Sequence, residues 1–477
     1  MKKKLVSSLL AVSMIMSTLA GCGNSSAPAT NNDGAATENK TEATADTTAD
    51  ASADTTADAT VDAADEGKVL NIYVWNEEFK SRVTDFYPGY EEVDATHGKI
   101  GDIDVVWNIT PSDDNAYQNN LDATLMKQAD AAADEKIDIF LLEADYALKY
   151  VDTEYTMALS DLGITDADLA NQYQYTKDVV TDSNGVLKGS SWQGCPGALF
   201  YNRDVALEVL GTEDPDEVQE FVKDWDTFNE TAAKMKDAGY YMTSSILDTY
   251  RVYSNNVTSK CVVDGKINID ENIMKWVDDS KAMYDAGQTG CHAMWSDDWN
   301  KGFYPEGKVF CYFGPAWLVN FCMAADVEGS VGNLGKWGAA VGPQGFFWGG
   351  TWICAATGTD NASTVKDIIL KLTTDEAIMT EIVKQCDDFA NNKNVMNAMA
   401  ADTSYSSKIL GGQNALGIFA AGVEKVDLSN LSAYDSGFNI DFQAAITDYI
   451  KGATATKEEA LDIFYKAMTE RYPELTY

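Results

Sequence analysis

The chain has 477 residues, 45% of them hydrophobic and 11% aromatic, enough to fill two packed cores. It carries 75 acidic residues against 35 basic ones, a formal charge of −40 that excludes phosphate-backbone recognition, which needs clustered lysine and arginine. Two histidines leave little from which to build a histidine-rich metal site or a histidine-based catalytic system.

The N-terminus reads as a targeting segment. Lys2, Lys3 and Lys4 precede an apolar run through Met16 that is too short to span a bilayer comfortably. Residues 1–22 close on Leu19-Ala20-Gly21-Cys22, which resembles the lipobox of bacterial lipoproteins, whose cysteine is lipidated and becomes the new N-terminus. Several acyl chains on one residue anchor durably where one would not. The resemblance therefore implies a protein tethered through Cys22 to the outer face of a cell membrane. Residues 23–67 are mostly Ala, Thr, Asp, Ser and Asn, with an aspartate every fourth residue from Asp46 to Asp62. Almost nothing apolar there exceeds alanine, so burial cannot offset ordering entropy and a flexible acidic stalk is expected. As a helix, the same run would align like charges at i,i+4 and weaken itself.

From Lys68 the composition turns globular. VLNIYVW, IGDIDVVWNI and KIDIFLLEA read as strands. Between the last two, residues 117–133 have helical spacing, with Leu121, Leu125 and Met126 on one side. This β-α-β order favours an α/β architecture with parallel sheet. Further helices are expected over 224–239, capped by Asp226 and ended by Gly239, over 365–386 and over 457–471. The turn from Asp182 to Gly185 lacks the further ligands of a calcium loop. Seven cysteines follow Cys22, an odd number that cannot all pair within one chain, and Cys311, Cys322 and Cys354 lie inside apolar runs. Free buried thiols acting as small hydrophobes are expected, with no obligatory disulfide framework. The absence of any CxxC leaves thiolate metal sites and thioredoxin-like chemistry poorly supported.

The landmarks then follow one another in a particular order. The first strand ends in Trp75-Asn76-Glu77-Glu78, and a later strand, DIFLLEAD, ends at Asp145. SNGVLKGSSWQGCPGALFYNRDV, WDTFNETAAKMKDAGY and GKVFCYFGPAW come next, and then GKWGAAVGPQGFFWGGTWICAAT and KGATATKEEALDIFYKAM. From Lys68 onward this succession resembles the extracellular solute-binding proteins of family 1, the maltose-binding type, which are the receptors of ATP-driven sugar importers. One departure is Ala316, which sets Trp317 one place later than in the family's Gly-Pro-Trp. The resemblance implies an α/β, two-lobe, type II periplasmic-binding-protein-like fold with the ligand cleft between the lobes. It divides the chain into 68–192 with 352–400 as lobe 1, and 193–351 with 401–477 as lobe 2. It also implies a monomer without cofactor or catalysis, whose partners are a carbohydrate and the permease subunits of an ABC importer.

In open α/β sheets ligands bind beyond the carboxyl ends of the strands, which is where the cluster after VLNIYVW emerges. Alternation along a strand sends Glu77 and Glu78 to opposite faces unless the chain turns there. The resemblance places Glu77 at an acidic sugar-contacting position, with Asn76 and Glu78 beside it, and Asp145 at a second one. The competing role for these carboxylates is to cap the helices that follow. Sugar hydroxyls form a fan of donors and acceptors that carboxylates, amides and arginine match. The C–H faces of the rings pack on aromatics, and burying about 100 Å² that way contributes on the order of 2–3 kcal/mol.

By that chemistry the further candidates are Trp75, Trp295 beside Asp297, Trp348 beside Gly350, and Trp317, whose family counterpart stacks on sugar. Trp192 and Gln193 precede the first crossing between lobes, Arg251 is one of few basic residues, and Asp388 follows a first-lobe helix. Each has a plainer alternative: a core aromatic, a surface ion pair for Arg251, solvent contact for Asp388. Two other functions suit parts of this pattern. Paired carboxylates with tryptophans also describe a surface-anchored glycoside hydrolase, and an acidic cleft suits a polyamine or another small polar solute.

Overall fold

The computed structural model describes residues 67–112, 115–323, 335–423, 426 and 428–477. The targeting segment, the lipidation site Cys22 and the stalk, apart from its last residue, Gly67, lie outside the described residues. The first lobe is built on a sheet of β1 (Val69–Val74), β2 (Tyr90–Glu92), β3 (His97–Ile100), β4 (Ile103–Ile109), β5 (Ile139–Glu143) and β6 (Gly189–Ser191), joined by a strand from far along the chain. The second lobe carries β7 (Gly197–Asn202), β8 (Tyr241–Thr243), β11 (Val309–Pro315) and β12 (Trp337–Ala340), with a small hairpin of β9 (Val262–Val263) and β10 (Lys266–Ile267). The late strand β13 (Thr351–Ala355) returns to the first sheet.

The first sheet has the order β2-β3-β4-β1-β5-β13-β6. β1 runs parallel to β4 and β5, Ile72 standing beside Trp107 on one side and Ile139 on the other. β13 runs antiparallel to both β5 and β6, with Thr351 opposite Glu143. On one face Leu70, Ile72 and Val74 pack with Phe79 and Val83 of the helix Glu78–Phe86 and with Ile368 and Leu372 of the helix Ala362–Thr374. On the other, Phe140 and Leu142 meet Tyr117, Leu121 and Leu125 of the helix Ala116–Leu125. Cover on both faces explains why β5 reads IFLL without alternation.

The second sheet has the order β12-β7-β11-β8, with β7 antiparallel to its two neighbours and β11 parallel to β8. A separate cluster of Trp276, Phe438, Phe442 and Phe464 joins the helices Glu271–Asp285, Asp435–Ile450 and Lys457–Arg471.

Three stretches pass between the lobes: after β6, before β13, and after the helix Glu376–Cys386. They pair as a short antiparallel ladder, Gln193 opposite Ala390 and Pro196 opposite Phe347. The Gly194 N–H donates to the Phe389 carbonyl and the Asn391 N–H to the Trp192 carbonyl, both at 2.8 Å. Gly194 is required there, because a Cβ would stand 2.7 Å from the Phe389 ring.

Three expected helices differ in detail. The helix expected over 117–133 ends at Leu125, and Met126 is 72% exposed rather than on the buried side. Gln128 explains the break: its amide clamps Ile137 through Nε2 to the carbonyl at 2.8 Å and Oε1 from the N–H at 2.9 Å, so the chain turns there. The helix after Asp224 is capped by Asp224 and not Asp226, because Thr227 completes a capping box with the earlier residue. The run 365–386 is two helices, broken where Asp375 accepts the Ala377 and Ile378 N–H groups at 3.0 and 3.1 Å.

All seven cysteines after Cys22 are free, and Cys195, Cys311, Cys354 and Cys386 are buried. Among the described residues no helix is long and apolar enough to cross a membrane.

Candidate functional site

The polar cluster that ends β1 lies at the carboxyl edge of the parallel strands. The chain turns at once: the Asn76 side chain accepts the Glu78 N–H at 3.0 Å, and the helix Glu78–Phe86 begins. Trp75 is half-buried, its ring edge-on to Tyr117 at 5.6 Å and to Tyr146 at 6.3 Å. Asn76 and Glu77 are exposed. Glu77 occupies the cap position without a side-chain cap bond, so its carboxylate is not used by the helix.

Glu78 points the other way. Its Oε1 accepts from Gln193 Nε2 at 2.6 Å and lies 3.5 Å from Arg82 Nη2. The same Gln193 nitrogen is 3.3 Å from Asp388 Oδ2, and Arg82 is 3.7 Å from it. Two carboxylates thus share one guanidinium and one amide. Burial, outweighing Arg82, pushes the Glu78 carboxyl up to about 7, although 28% of its side-chain surface stays accessible. Burial also raises Asp388. Gln193 and Asp388 are both 2% exposed, and Trp192 is 1% exposed and stacked on Phe79 at 5.5 Å. Trp192, Gln193 and Asp388 are thus enclosed by the protein, and Asp388 does not reach solvent. They form the buried joint between the start of a first-lobe helix and two crossing segments.

Asp145 follows β5 and meets the other lobe. Its carboxylate forks onto Arg251 of the short helix Tyr250–Ser254, Nη1 2.7 Å from Oδ1 and Nη2 on Oδ2. Its own N–H donates to Glu143 Oε2 at 2.9 Å, and burial together with the Asp145 charge holds the Glu143 carboxyl well above the usual range. The Arg251 guanidinium also lies 5.9 Å over the Trp348 ring. This is no solvent-exposed pair: it ties the strand ends of one lobe to the other.

Beyond Arg251, three partly exposed indoles meet. Trp317 and Trp348 stand 5.4 Å apart at 68°, and Trp295 is 6.1 and 5.7 Å from them at 35° and 43°. Trp317 Nε1 donates to the Trp348 carbonyl at 3.3 Å, which fixes the ring despite the extra Ala316. Asp297 is exposed in the first turn of the helix Asp297–Asn300, and Gly350 is buried against Trp352 and Cys195.

Asp145 and Arg251 also line a pocket of about 70 Å³. Three of its four lining asparagines are each held by one end. Asn255 Oδ1 accepts the Phe347 N–H at 2.6 Å and Asn439 Oδ1 accepts the Tyr250 hydroxyl at 2.6 Å, while Asn430 Nδ2 donates to the Val257 carbonyl at 2.9 Å. The other ends of these amides, two NH2 groups and one carbonyl oxygen, are of the kind that match hydroxyls. Asp435 also lines it, its carboxyl pushed up to about 6 by burial.

Sequence reasoning missed Asn255, Asn430, Asp435 and Asn439. Only Asn255 carried a signal, as a neighbour of Arg251 in RVYSNN. Among the described residues no three His, Cys, Asp or Glu side chains gather as metal ligands. The arrangement suits holding a polar ligand with some flat apolar surface between two bodies.

No curated protein sequence matches the chain. A crystal structure of an extracellular solute-binding protein of family 1 superposes with a TM-score of 0.68 at 18% identity, covering 84% of this chain and all of that one. The sugar-binding protein MalE of Xanthomonas citri gives 0.63 at 14% identity, over 84% of this chain and 98% of that one. The ABC transporter associated binding protein of B. animalis subsp. lactis Bl-04, in complex with β-1,6-galactobiose, gives 0.61 at 19%, over 85% and 98%. At these identities the likeness speaks for the two-lobed α/β fold. Residues 93–405, more than half of the chain, match the family model of the bacterial extracellular solute-binding proteins, and the chain belongs to that family.

Proposed function

We propose that the protein captures an oligosaccharide or related carbohydrate between its lobes and delivers it to the permease of an ABC importer. In this reading it acts as a monomer, without catalysis or cofactor. It is held at the outer face of the membrane by lipid on Cys22, and its lobes divide at 192/193, 351/352 and 400/401. The observation that carries the reading is the three-indole surface of Trp295, Trp317 and Trp348 beside the Asp145–Arg251 bridge. Indole faces suit the C–H faces of pyranoses, and the one-ended amides of the adjoining pocket suit their hydroxyls. The galactobiose held by one structural relative supports the same class.

The test is thermal-shift screening of the mature protein against disaccharides to tetrasaccharides and against polyamines, since a ligand stabilises only the state it binds. A polyamine is the second reading, favoured by the surplus of Asp145, Asp270 and Asp435 over Arg251 in the pocket lining. Stabilisation by polyamines alone would install it. Release of new reducing ends from bound oligosaccharide would instead favour a hydrolase.

A further inference from the structure

Trp295 stands where the backbone resists a large side chain. The Ser296 N–H donates to the Ala293 carbonyl at 3.1 Å and closes a four-residue turn whose third residue is Trp295. Its φ is +69°, in the left-handed region. Glycine or asparagine is the usual occupant at that place, because a Cβ there crowds the following carbonyl oxygen. A bulky residue in this conformation is an outlier, and such strain gathers at binding sites. The turn is anchored on its far side as well, where Ser296 accepts the Trp299 N–H at 3.3 Å and caps the next short helix.

The strained residue is not serving the core. Trp299, behind it, is 1% exposed and fills that role, whereas Trp295 is 40% exposed. Its indole still packs, tilted, against Trp299 at 5.1 Å, Trp348 at 5.7 Å and Trp317 at 6.1 Å. The rings touch one another at centroid spacings of 5.4 to 6.1 Å. The cluster already has a cation over one of its rings, the Arg251 guanidinium 5.9 Å over Trp348. What the rings offer is a continuous outer surface with Trp295 as its most exposed part.

We propose that Trp295 is a specificity-determining residue, held in a strained turn so that its indole takes the apolar face of the pyranose ring at one end of the bound oligosaccharide. This rests on the carbohydrate reading above. The experiment compares Trp295→Gly, Trp295→Ala and Trp295→Asn with Trp317→Ala and the wild type in the mature protein. β-1,6-Galactobiose and maltotriose serve as probes beside the sugar that gives the largest thermal shift. All three Trp295 variants are expected to lose about tenfold or more in affinity. Without ligand, the Gly and Asn variants should melt above the Ala variant, the reverse of the ordinary order for glycine.

Wild-type affinity in the Trp295 variants overturns the contact, and an Ala variant that melts at or above the Gly and Asn variants overturns the strain. If Trp317→Ala loses affinity while the Trp295 variants keep it, only this inference fails. If no sugar stabilises the wild type, the carbohydrate reading fails with it; if sugar stabilises the wild type and Trp317→Ala and the Trp295 variants all bind it fully, the indole surface is not where sugar sits and this inference fails alone. Should the Ala variant not fold while Gly and Asn do, the strain is upheld and affinity is read from those two.

Discussion

Trp317 and Trp192 were both candidates in the sequence, each an aromatic next to a small or polar residue. In the fold, Trp192 is sealed against Phe79 while Trp317 keeps an open face. The difference lies in which side of a turn each indole faces, and residue types do not record that. Because Trp317 also leans on Trp295 and bonds to the Trp348 carbonyl, removing it has two effects. Trp317→Ala should weaken sugar binding by about 2–3 kcal/mol and destabilise the free protein by less than the roughly 3–5 kcal/mol of a fully buried tryptophan. Titration calorimetry and thermal melting on one variant check both; a core-sized stability loss with binding intact would take Trp317 out of the site.

Glu78 offers a test by pH. Its carboxyl rises from an ordinary 4.5 to about 7, and that of Asp248, bonded only to neutral donors, rises from 3.8 to about 7. The folded state holds these protons more tightly than the unfolded chain. Their stabilising effect is complete below the unfolded values and is lost as pH climbs through the folded ones. The melting temperature should fall between about pH 5 and about pH 8. Glu78→Gln keeps an oxygen for Gln193 and cannot ionise, so its melting temperature should fall less over that range. Parallel curves for the two proteins would clear Glu78 of any part in it.

At the scale of elements, strand identity was legible and helix punctuation was not. β1, β4 and β5 are apolar runs ended by polar residues, and their β-α-β succession leaves few topologies open. The helix ends depended on which of several carboxylates found a partner. In DWDT the winner was Asp224, and in TTDEAI it was Asp375, which interrupts a stretch whose apolar periodicity continues across it. Asp375→Ala should therefore cost about 1 kcal/mol, while Asp375→Asn, an equally good cap, should cost much less. Denaturant unfolding measures the difference, and equal losses would mean that the Lys371 ion pair, not the cap, is what matters there.

At the scale of the molecule, the order of landmarks made the two-lobed fold legible, but not which residues meet across it. Asp145 and Arg251 are 106 positions apart, and nothing near either one names the other. Their fork joins the lobes in a half-buried setting, so Arg251→Ala should leave Asp145 unpaired and shift the unliganded protein toward open forms. Small-angle scattering should record a larger radius of gyration. Arg251→Lys should restore little of the compactness, since an ammonium cannot reproduce the two-pronged contact. An unchanged radius in Arg251→Ala would show that the lobes are held together by other means.

The ladder formed by the three crossing segments has a mechanical consequence. Three separate tethers could let two bodies twist, slide and bend past one another. Tethers laced side by side, with Gly194 bonded to Phe389 and Asn391 to Trp192, form a ribbon. Such a ribbon flexes readily across its thin dimension, while twisting or sliding would shear its hydrogen bonds. Of the six rigid-body freedoms between the lobes, one remains soft. Opening and closing should then follow a single arc, and the amides of Gly194 and Asn391 should exchange slowly in open and closed forms alike.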